Sequence, residues 1–324
     1  MGTRWGIMGT GAIASALHHA ILAEGDEVVA VSSGASDRAA RFGADHGIAR
    51  SYGRHHDLVA DPDVEVVYVA TTNERHHLDV RACIDAGLPV LAEKPFALDL
   101  AKATAVVDAA RDARVFVMEA MWMRMQPAFL EVERRVAAGQ IGTPHLITAD
   151  FGITPLRDPS RRWFARELGG GSLLDTGIYP LTFAVSLLGA PIDVRAVGEL
   201  ADTGIDAQVA VAMRHTDGLS SWSSSFVADS GIEATVAGSD GSLRVHGPFH
   251  SSARLSLRRG VEVVEEVAVV DHDLAYRHEV REVQRCLAAG RTESERMPLD
   301  LTLQLAAALD EMRRQVGVVD PGGR

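Results

Sequence analysis

The order of hydrophobic and polar positions divides the chain near residue 120. Before that point, short apolar runs alternate with amphipathic stretches. Residues 5–8, 27–32 (EVVAVS), 64–70 (VEVVYVA), 89–92 (PVLA) and 115–118 (VFVM) are apolar over nearly their whole length. Runs of this length and composition predict strands buried on both faces. Between them, 13–23, 36–46, 77–86 and 99–112 carry the three-to-four-residue apolar spacing of helices. Alternation of this kind predicts an α/β, Rossmann-type domain over residues 1–120, a doubly wound parallel sheet with helices on both faces.

The pattern then changes. A helix is predicted at 127–138 and a strand at 145–151, followed by an irregular stretch with Pro155, Pro159 and several arginines. A helix follows at 172–188. Beyond it come strands at 192–200, 206–213, 219–226, 232–237, 242–246, 253–258 and 262–269, several alternating with period two, as in Glu233-Ala234-Thr235-Val236. Gly238-Ser239-Asp240-Gly241 reads as a hairpin turn. Consecutive strands and tight turns predict a large, mostly antiparallel open sheet, making 121–324 an α+β domain for substrate binding and dimerisation. Two helices, 275–289 and 299–315, close the chain and are placed to pack back on the first domain. Residues 320–324 are expected to be loose.

Composition narrows the classes of function. The 324 residues suit two domains, and 47% hydrophobic with 23% charged residues suits ordinary buried cores. A net charge of −12 repels phosphate backbones and argues against a nucleic-acid partner. Cys83 and Cys286 stand far apart, with no CxxC or Cys/His zinc spacing, which predicts a cytoplasmic protein without a structural metal. With a strand predicted from Trp5, no secretory leader is expected. No apolar run of about 18 residues predicts a membrane span.

Candidate chemistry gathers where predicted strands end. Gly9-Thr10-Gly11-Ala12-Ile13-Ala14 follows a strand and opens a helix. This is the context in which a glycine turn lets a pyrophosphate approach the backbone and the helix N-terminus. The second strand ends in Ser32-Ser33-Gly34 rather than in the carboxylate that holds an NAD ribose. With Arg38 one turn into the next helix, this favours NADP, NAD remaining an alternative. Thr71, Thr72, Asn73 and His76 follow the strand 64–70 and are placed to meet ribose and nicotinamide. The doublets His18-His19, His55-His56 and His76-His77 lack partners at metal spacing. Glu93-Lys94-Pro95 caps the strand 89–92, where an ammonium would face the same crevice and donate to a substrate oxygen. The Lys94–Pro95 bond is expected to be cis. Trp122, Phe151 and Trp163 are candidate aromatic walls for a sugar ring or cyclic diol.

In their order and spacing these segments, with Gly169 to Tyr179 (GGGSLLDTGIY), Glu279-Val280 and Glu295 to Asp300, resemble the Gfo/Idh/MocA family, the relatives of glucose–fructose oxidoreductase and inositol dehydrogenase. Met118-Glu119-Ala120-Met121-Trp122 and Tyr179 resemble most its branch of dimeric dihydrodiol and NADP-dependent D-xylose dehydrogenases. The resemblance implies Lys94 and Tyr179 as the catalytic pair, because an ammonium beside a phenol favours the phenolate of a general acid–base group. It implies that Asp175, four residues before Tyr179, orients Lys94 or a substrate hydroxyl. It also implies a homodimer, or a pair of dimers, closed over the open sheet.

The sequence departs from the family at four places, the first being Tyr179, where inositol-type members carry histidine. Thr182 stands where inositol-type members carry aspartate, Thr72 replaces the proline of the cofactor segment, and Gly34 replaces an arginine common in NADP-using relatives. The expected activity is NAD(P)-dependent hydride transfer at a CH–OH group of a sugar, polyol or cyclic diol. An NAD-dependent inositol or amino-sugar dehydrogenase is the alternative within enzymes. A non-catalytic sugar-sensing regulator on the same fold is the alternative outside them.

Overall fold

The structure is a computed structural model and describes residues 2–269 and 276–319. The expectation for 320–324, and the first residue of the helix predicted at 275–289, lie outside the described residues. The chain forms two compact units, Met1–Met125 with Leu274–Leu303, and Gln126–Asp273 with Gln304–Arg324.

In the first unit, β1 (Arg4–Met8), β2 (Glu27–Ser32), β3 (Arg50–Tyr52), β4 (Val66–Val69), β5 (Val90–Ala92) and β6 (Val117–Glu119) form one parallel sheet. Its order is β3-β2-β1-β4-β5-β6, so the direction of winding reverses between β1 and β4. In such sheets the ligand crevice lies beyond the carboxyl ends of the strands at that reversal. The helices are α1 (Ala12–Ala23), α2 (Ser36–His46), α3 (His55–Val59), α4 (His76–Asp85) and α5 (Leu100–Ala113). The apolar runs form the core as expected: every side chain of β4 and β5 is buried, as are Trp5, Ile7 and Met8 of β1.

β3 and α3 are absent from the hydrophobic pattern because β3 is not held by apolar burial, and α3, five residues long, buries one apolar side chain, Leu58, too few to set up a period. Arg50 Nε donates to Asp61 Oδ2 at 2.7 Å, and the Tyr52 hydroxyl donates to the same oxygen at 3.1 Å. Polar bonds thus secure a half-exposed edge strand. Near the end of the chain, α8 (Arg277–Ala288) packs on α1: Arg277 and Arg281 both pair with Glu24, and Val280, Val283 and Cys286 are buried.

The second unit holds α6 (Pro127–Ala137), β7 (Pro144–Gly152), α7 (Ile178–Leu188), β8 (Pro191–Leu200), β9 (Asp206–His215), β10 (Leu219–Ser225), β11 (Ala234–Gly238), β12 (Ser242–Val245), β13 (Arg254–Arg259) and β14 (Glu262–Ala268). The eight strands form one sheet in the order β14-β13-β12-β11-β7-β10-β9-β8, antiparallel except where β7 meets β10. The period-two pattern is real: in β9, Val209, Val211 and Met213 are buried while Ala210, Ala212 and Arg214 are exposed. The 238–241 hairpin forms, with the Gly238 amide donating to Gly241 O at 2.8 Å. α9 (Leu299–Val316) starts in the first unit and ends in the second.

The helix predicted at 172–188 is not uniform. It opens as a π turn, Leu173–Gly177, and becomes α-helical only from Ile178. Pro180 supplies the reason: it lacks the amide that an α ladder would send to Thr176 O, and its ring would crowd that carbonyl. A widened i→i+5 turn just before the proline relieves both. Arg166–Leu188 is long and apolar enough by length and composition to cross a membrane, but most of it is buried inside the protein. It is a core segment against β7 and β10. Cys83 and Cys286 lie unpaired and buried in helices, as expected. The Lys94–Pro95 bond is cis, also as expected, and so is Gly247–Pro248.

Candidate active site

In the first unit, the loop after β1 has the form of an anion cradle. Gly9 has φ +112, and a Cβ there would lie 2.2 Å from Ala70 O, so only glycine fits against the end of β4. Its amide donates to Ser32 O at 2.8 Å, tying the turn to β2. Gly11 caps α1 without a side-chain hydrogen bond, and a Cβ on it would meet nothing within 4 Å. The first turn of α1 thus starts at the surface without a side-chain cap, at the positive end of the helix dipole. Thr10 and Ile13 are half-buried and Ala12 is exposed, while Ala14 is fully buried and lets the helix lie close on the sheet. The residues present fit a dinucleotide pyrophosphate.

At the end of β2, Ser32 is buried and its hydroxyl is 2.9 Å from His55 Nδ1. That hydroxyl is engaged by His55 of α3, an element that the hydrophobic pattern did not predict. Burial pushes the His55 imidazole below its usual range, which keeps it neutral. Ser33 is buried, with its amide donating to Tyr52 O at 3.1 Å. Arg38 is exposed, has no ion-pair partner among the described residues, and places Nη2 3.8 Å from the position of a Gly34 Cβ. Its cation thus stands over the β2–α2 turn.

Beyond β4, the Thr71 hydroxyl donates to Asp79 Oδ2 at 2.8 Å and the Thr72 hydroxyl to Glu74 Oε1 at 2.5 Å. Asn73 is buried. His76, 1% exposed, stands with Nδ1 2.8 Å from Pro95 O and Nε2 3.2 Å from Thr71 O. Burial lowers its pKa, so the neutral ring donates to one carbonyl at a time. These side chains were expected to face the cofactor. In the structure the two hydroxyls and the imidazole are engaged within the protein, and His76 ties the segment after β4 to the one after β5.

Lys94 is half-buried directly after β5. Under it lies a buried acidic cluster that sequence spacing did not reveal. The Tyr68 hydroxyl donates to Glu93 Oε1 at 2.5 Å, and Lys94 N to Glu93 Oε2 at 3.2 Å. Glu119 accepts the Phe96 amide at 3.0 Å and the Thr302 hydroxyl at 2.8 Å. Burial raises the Glu119 carboxyl to about 7, with Glu93 adding to the rise and Lys94 opposing it. Glu279 of α8 is fully buried, and neither of its carboxyl oxygens has a hydrogen bond among the described residues. Burial, then the charge of Glu93, hold it well above the carboxylate range, so it is neutral.

In the second unit, Tyr179 sits in the first turn of α7 within an aromatic cluster. Its ring centroid is 5.4 Å from that of Phe151 and 5.1 Å from that of His250, and His250 stacks on Phe151 at 4.8 Å. His250 carries no motif, and only the tertiary fold brings it here. Asp175 lies in the π turn, one turn before Tyr179, and its Oδ1 accepts Arg162 Nη1 at 3.0 Å. Arg162, from the irregular arginine-rich stretch, is thus one partner of Asp175. Thr182 is buried and donates to Ile178 O at 2.7 Å, which commits it to its own helix.

The three aromatic candidates separate. Phe151 packs on Tyr179. Trp163 packs instead against the Phe164, Ile205 and Phe226 cluster. Trp122, in the first unit, lies 4.8 Å from the Tyr276 ring. Among the described residues, no group of three or more histidine, cysteine, aspartate or glutamate side chains is arranged to hold a metal.

Residues 3–121 match the NAD-binding Rossmann domain of the GFO/IDH/MocA oxidoreductase family, and residues 129–244 match that family's C-terminal domain. Trans-1,2-dihydrobenzene-1,2-diol dehydrogenase of Danio rerio is 37% identical over 335 residues, covering 98% of each chain. The Homo sapiens protein of the same name is 31% identical over 332 residues, covering 99% of each. The crystal structure of aldose-aldose oxidoreductase from Caulobacter crescentus, complexed with glycerol, shares the fold with a TM-score of 0.88, 23% identity and 98% coverage of both chains. The chain belongs to the GFO/IDH/MocA family and is an NAD(P)-binding oxidoreductase of it.

Proposed function

We propose that the protein oxidises, or forms by reduction, a CH–OH group on a sugar, polyol or cyclic diol, with NADP(H) as its cofactor. The observation that carries this reading is the place of Tyr179, a phenol packed against Phe151 in the first turn of α7. Bound nicotinamide supplies the hydride acceptor or donor. Lys94 donates a hydrogen bond to the substrate oxygen and stabilises its anionic character. Tyr179 takes the hydroxyl proton in the oxidative direction and returns it in the reductive one. Asp175, paired with Arg162, orients this turn and the substrate hydroxyls near it.

Gly9, Thr10, Gly11, Ala12 and Ile13 hold the pyrophosphate on backbone amides. Arg38 binds the 2′-phosphate that distinguishes NADP, with Ser32 and Ser33 leaving room for it. The segment Thr71, Thr72, Asn73, His76 and the Glu93-Lys94 turn shape the nicotinamide end. Phe151 offers a flat apolar wall to a ring, and Trp122 and Trp163 are proposed as further aromatic contacts. The names of the relatives, which act on dihydrodiols and aldoses, support a hydroxylated ring as substrate. Thr182, bonded to its own helix, lends no support to an inositol site.

The exposed face of the large sheet is the proposed contact for a second copy. Thr148, Ala210, Ala212, Ser221 and Ser223 there are small and exposed, so another sheet can approach closely. Val197, 72% exposed, and Leu219, 54% exposed, add apolar area that association would bury.

The test is a cofactor-linked absorbance screen of aldoses, inositols, dihydrodiols and ketosugars, run with NADP and with NAD. On the best substrate, Lys94→Ala and Tyr179→Phe should each lose on the order of 10² to 10⁴ in kcat. Turnover at the wild-type rate in either variant overturns its assigned role.

A further inference from the structure

We propose that Asp206 is a positioning residue for this reaction, its carboxylate anchoring the turn that carries Asp175 and leads into Tyr179. The proposal rests on the reading of Tyr179 as the acid–base group. Asp206 begins β9 and is fully buried. Its Oδ2 accepts the Leu173 amide at 2.6 Å and the Ser172 hydroxyl at 2.9 Å. The Ser172 hydroxyl is also 3.0 Å from Ser224 Oγ on β10, and the Thr176 hydroxyl donates back to Ser172 O at 2.9 Å. Gly171 has φ +128, and a Cβ there would lie 2.3 Å from Asp206 Oδ1. The chain can pass over the carboxylate only because this residue is glycine.

The turn needs such an anchor. It is a π turn, with the poorer hydrogen-bond geometry of a rare helix form, and the following Pro180 lacks an amide with which to close the ladder. A bond from the sheet replaces what the helix cannot supply. A charged acceptor is suited to the task, because a carboxylate holds an amide about twice as strongly as a neutral carbonyl does. Its cost is burial, which raises this carboxyl to about 6 against the bonds from Leu173 and Ser172 and the charge of Arg313 on α9. Arg313 is the charged group acting on it; from the turn and from β10 its neighbours are the hydroxyls of Ser172 and Ser224. Above this value the anchor is charged and tight. Below it the neutral acid holds the Leu173 amide more weakly, so activity should fall as pH drops through about 6.

The experiment compares wild type, Asp206→Asn, Asp206→Ala and Tyr179→Phe in the full chain. Hydrogen–deuterium exchange over 172–179, corrected for intrinsic rates, is measured on either side of pH 6, beside the pH profiles of kcat and the affinity for NADP. In Asp206→Ala the turn should exchange faster and kcat should fall on the order of 10- to 100-fold, with cofactor affinity unchanged. Asp206→Asn keeps a neutral acceptor for both bonds, so it should recover most of the rate and lose the acid limb near pH 6 seen in wild type. Should the alanine variant not fold, the asparagine profile carries the test.

Unchanged exchange in Asp206→Ala, or an identical acid limb in Asp206→Asn, overturns the positioning role. Full activity in Tyr179→Phe overturns the acid–base reading instead, and exchange still decides whether Asp206 anchors the turn.

Discussion

Replacing Glu119 by glutamine should remove a large part of the pH dependence of the first unit's stability. Glu119 is 1% exposed, so solvent screening does little to reduce the effect. Its carboxyl rises from 4.5 to about 7, equivalent to roughly 3 kcal/mol of preference for the neutral form in the folded state. Between those two values the folded state holds a proton that the unfolded state has released. The contribution is therefore complete below 4.5, declines as pH rises, and is gone above about 7.

Glutamine is neutral throughout. It keeps the acceptor for the Phe96 amide, and the Thr302 hydroxyl can turn from donor to acceptor to meet the new amino group. Urea denaturation of both proteins, followed by tryptophan fluorescence between about pH 4.5 and about pH 8, gives the difference directly and cancels groups common to both. The glutamine variant should gain roughly 3 kcal/mol relative to wild type across that range. Two curves that stay parallel would refute a buried carboxyl held neutral beneath Lys94.

Arg38→Ala should weaken NADP binding by about 10- to 100-fold while leaving NAD binding unchanged, since one charge-assisted contact is lost; equal losses for both dinucleotides in calorimetric titration would remove Arg38 from the 2′-phosphate. Gly9→Ala should abolish tight binding of either dinucleotide and lower the melting temperature, because φ +112 and a contact of 2.2 Å with Ala70 O leave no room for a methyl group. A variant melting and binding like wild type would contradict the cradle. Burial pushes the Cys286 thiol up to about 11 and the Cys83 thiol higher still, so a disulfide reagent should label neither until the protein is denatured. Fast labelling of the native chain would show that these helices open.

Much of the architecture can be read along the chain itself. Strand 27–32 and helix 36–46 have the predicted ends, because their apolar positions repeat with the local period of the element and their boundaries carry turn residues. The glycine turn at Gly9 and Gly11 is equally legible, since its backbone requirement is local. β3 and α3 were not, because what secures β3 is a polar bond from Arg50 to Asp61, and α3 is five residues long with one buried apolar side chain, Leu58. Neither leaves a periodic trace. The Leu173 amide in the π turn likewise bonds to Asp206, 33 residues further on.

The site divides on the same physical ground. Position after a strand nominates Lys94, and the resemblance to the family adds Tyr179. Whether a side chain is charged, and what it can still bond to, depends on how completely the fold removes water from it. Thr71, Thr72 and His76 are polar residues at the expected strand end, yet the tertiary structure engages them internally. Glu279 reads as an ordinary helix carboxylate and becomes a buried neutral acid only because α8 returns to the first unit. Periodicity is a property of neighbours in sequence, so the chain by itself determined the two sheets and the dinucleotide turn. Desolvation is a property of enclosure, so only the tertiary structure decided the protonation of Glu119 and Glu279 and the burial of Asp206 against Leu173.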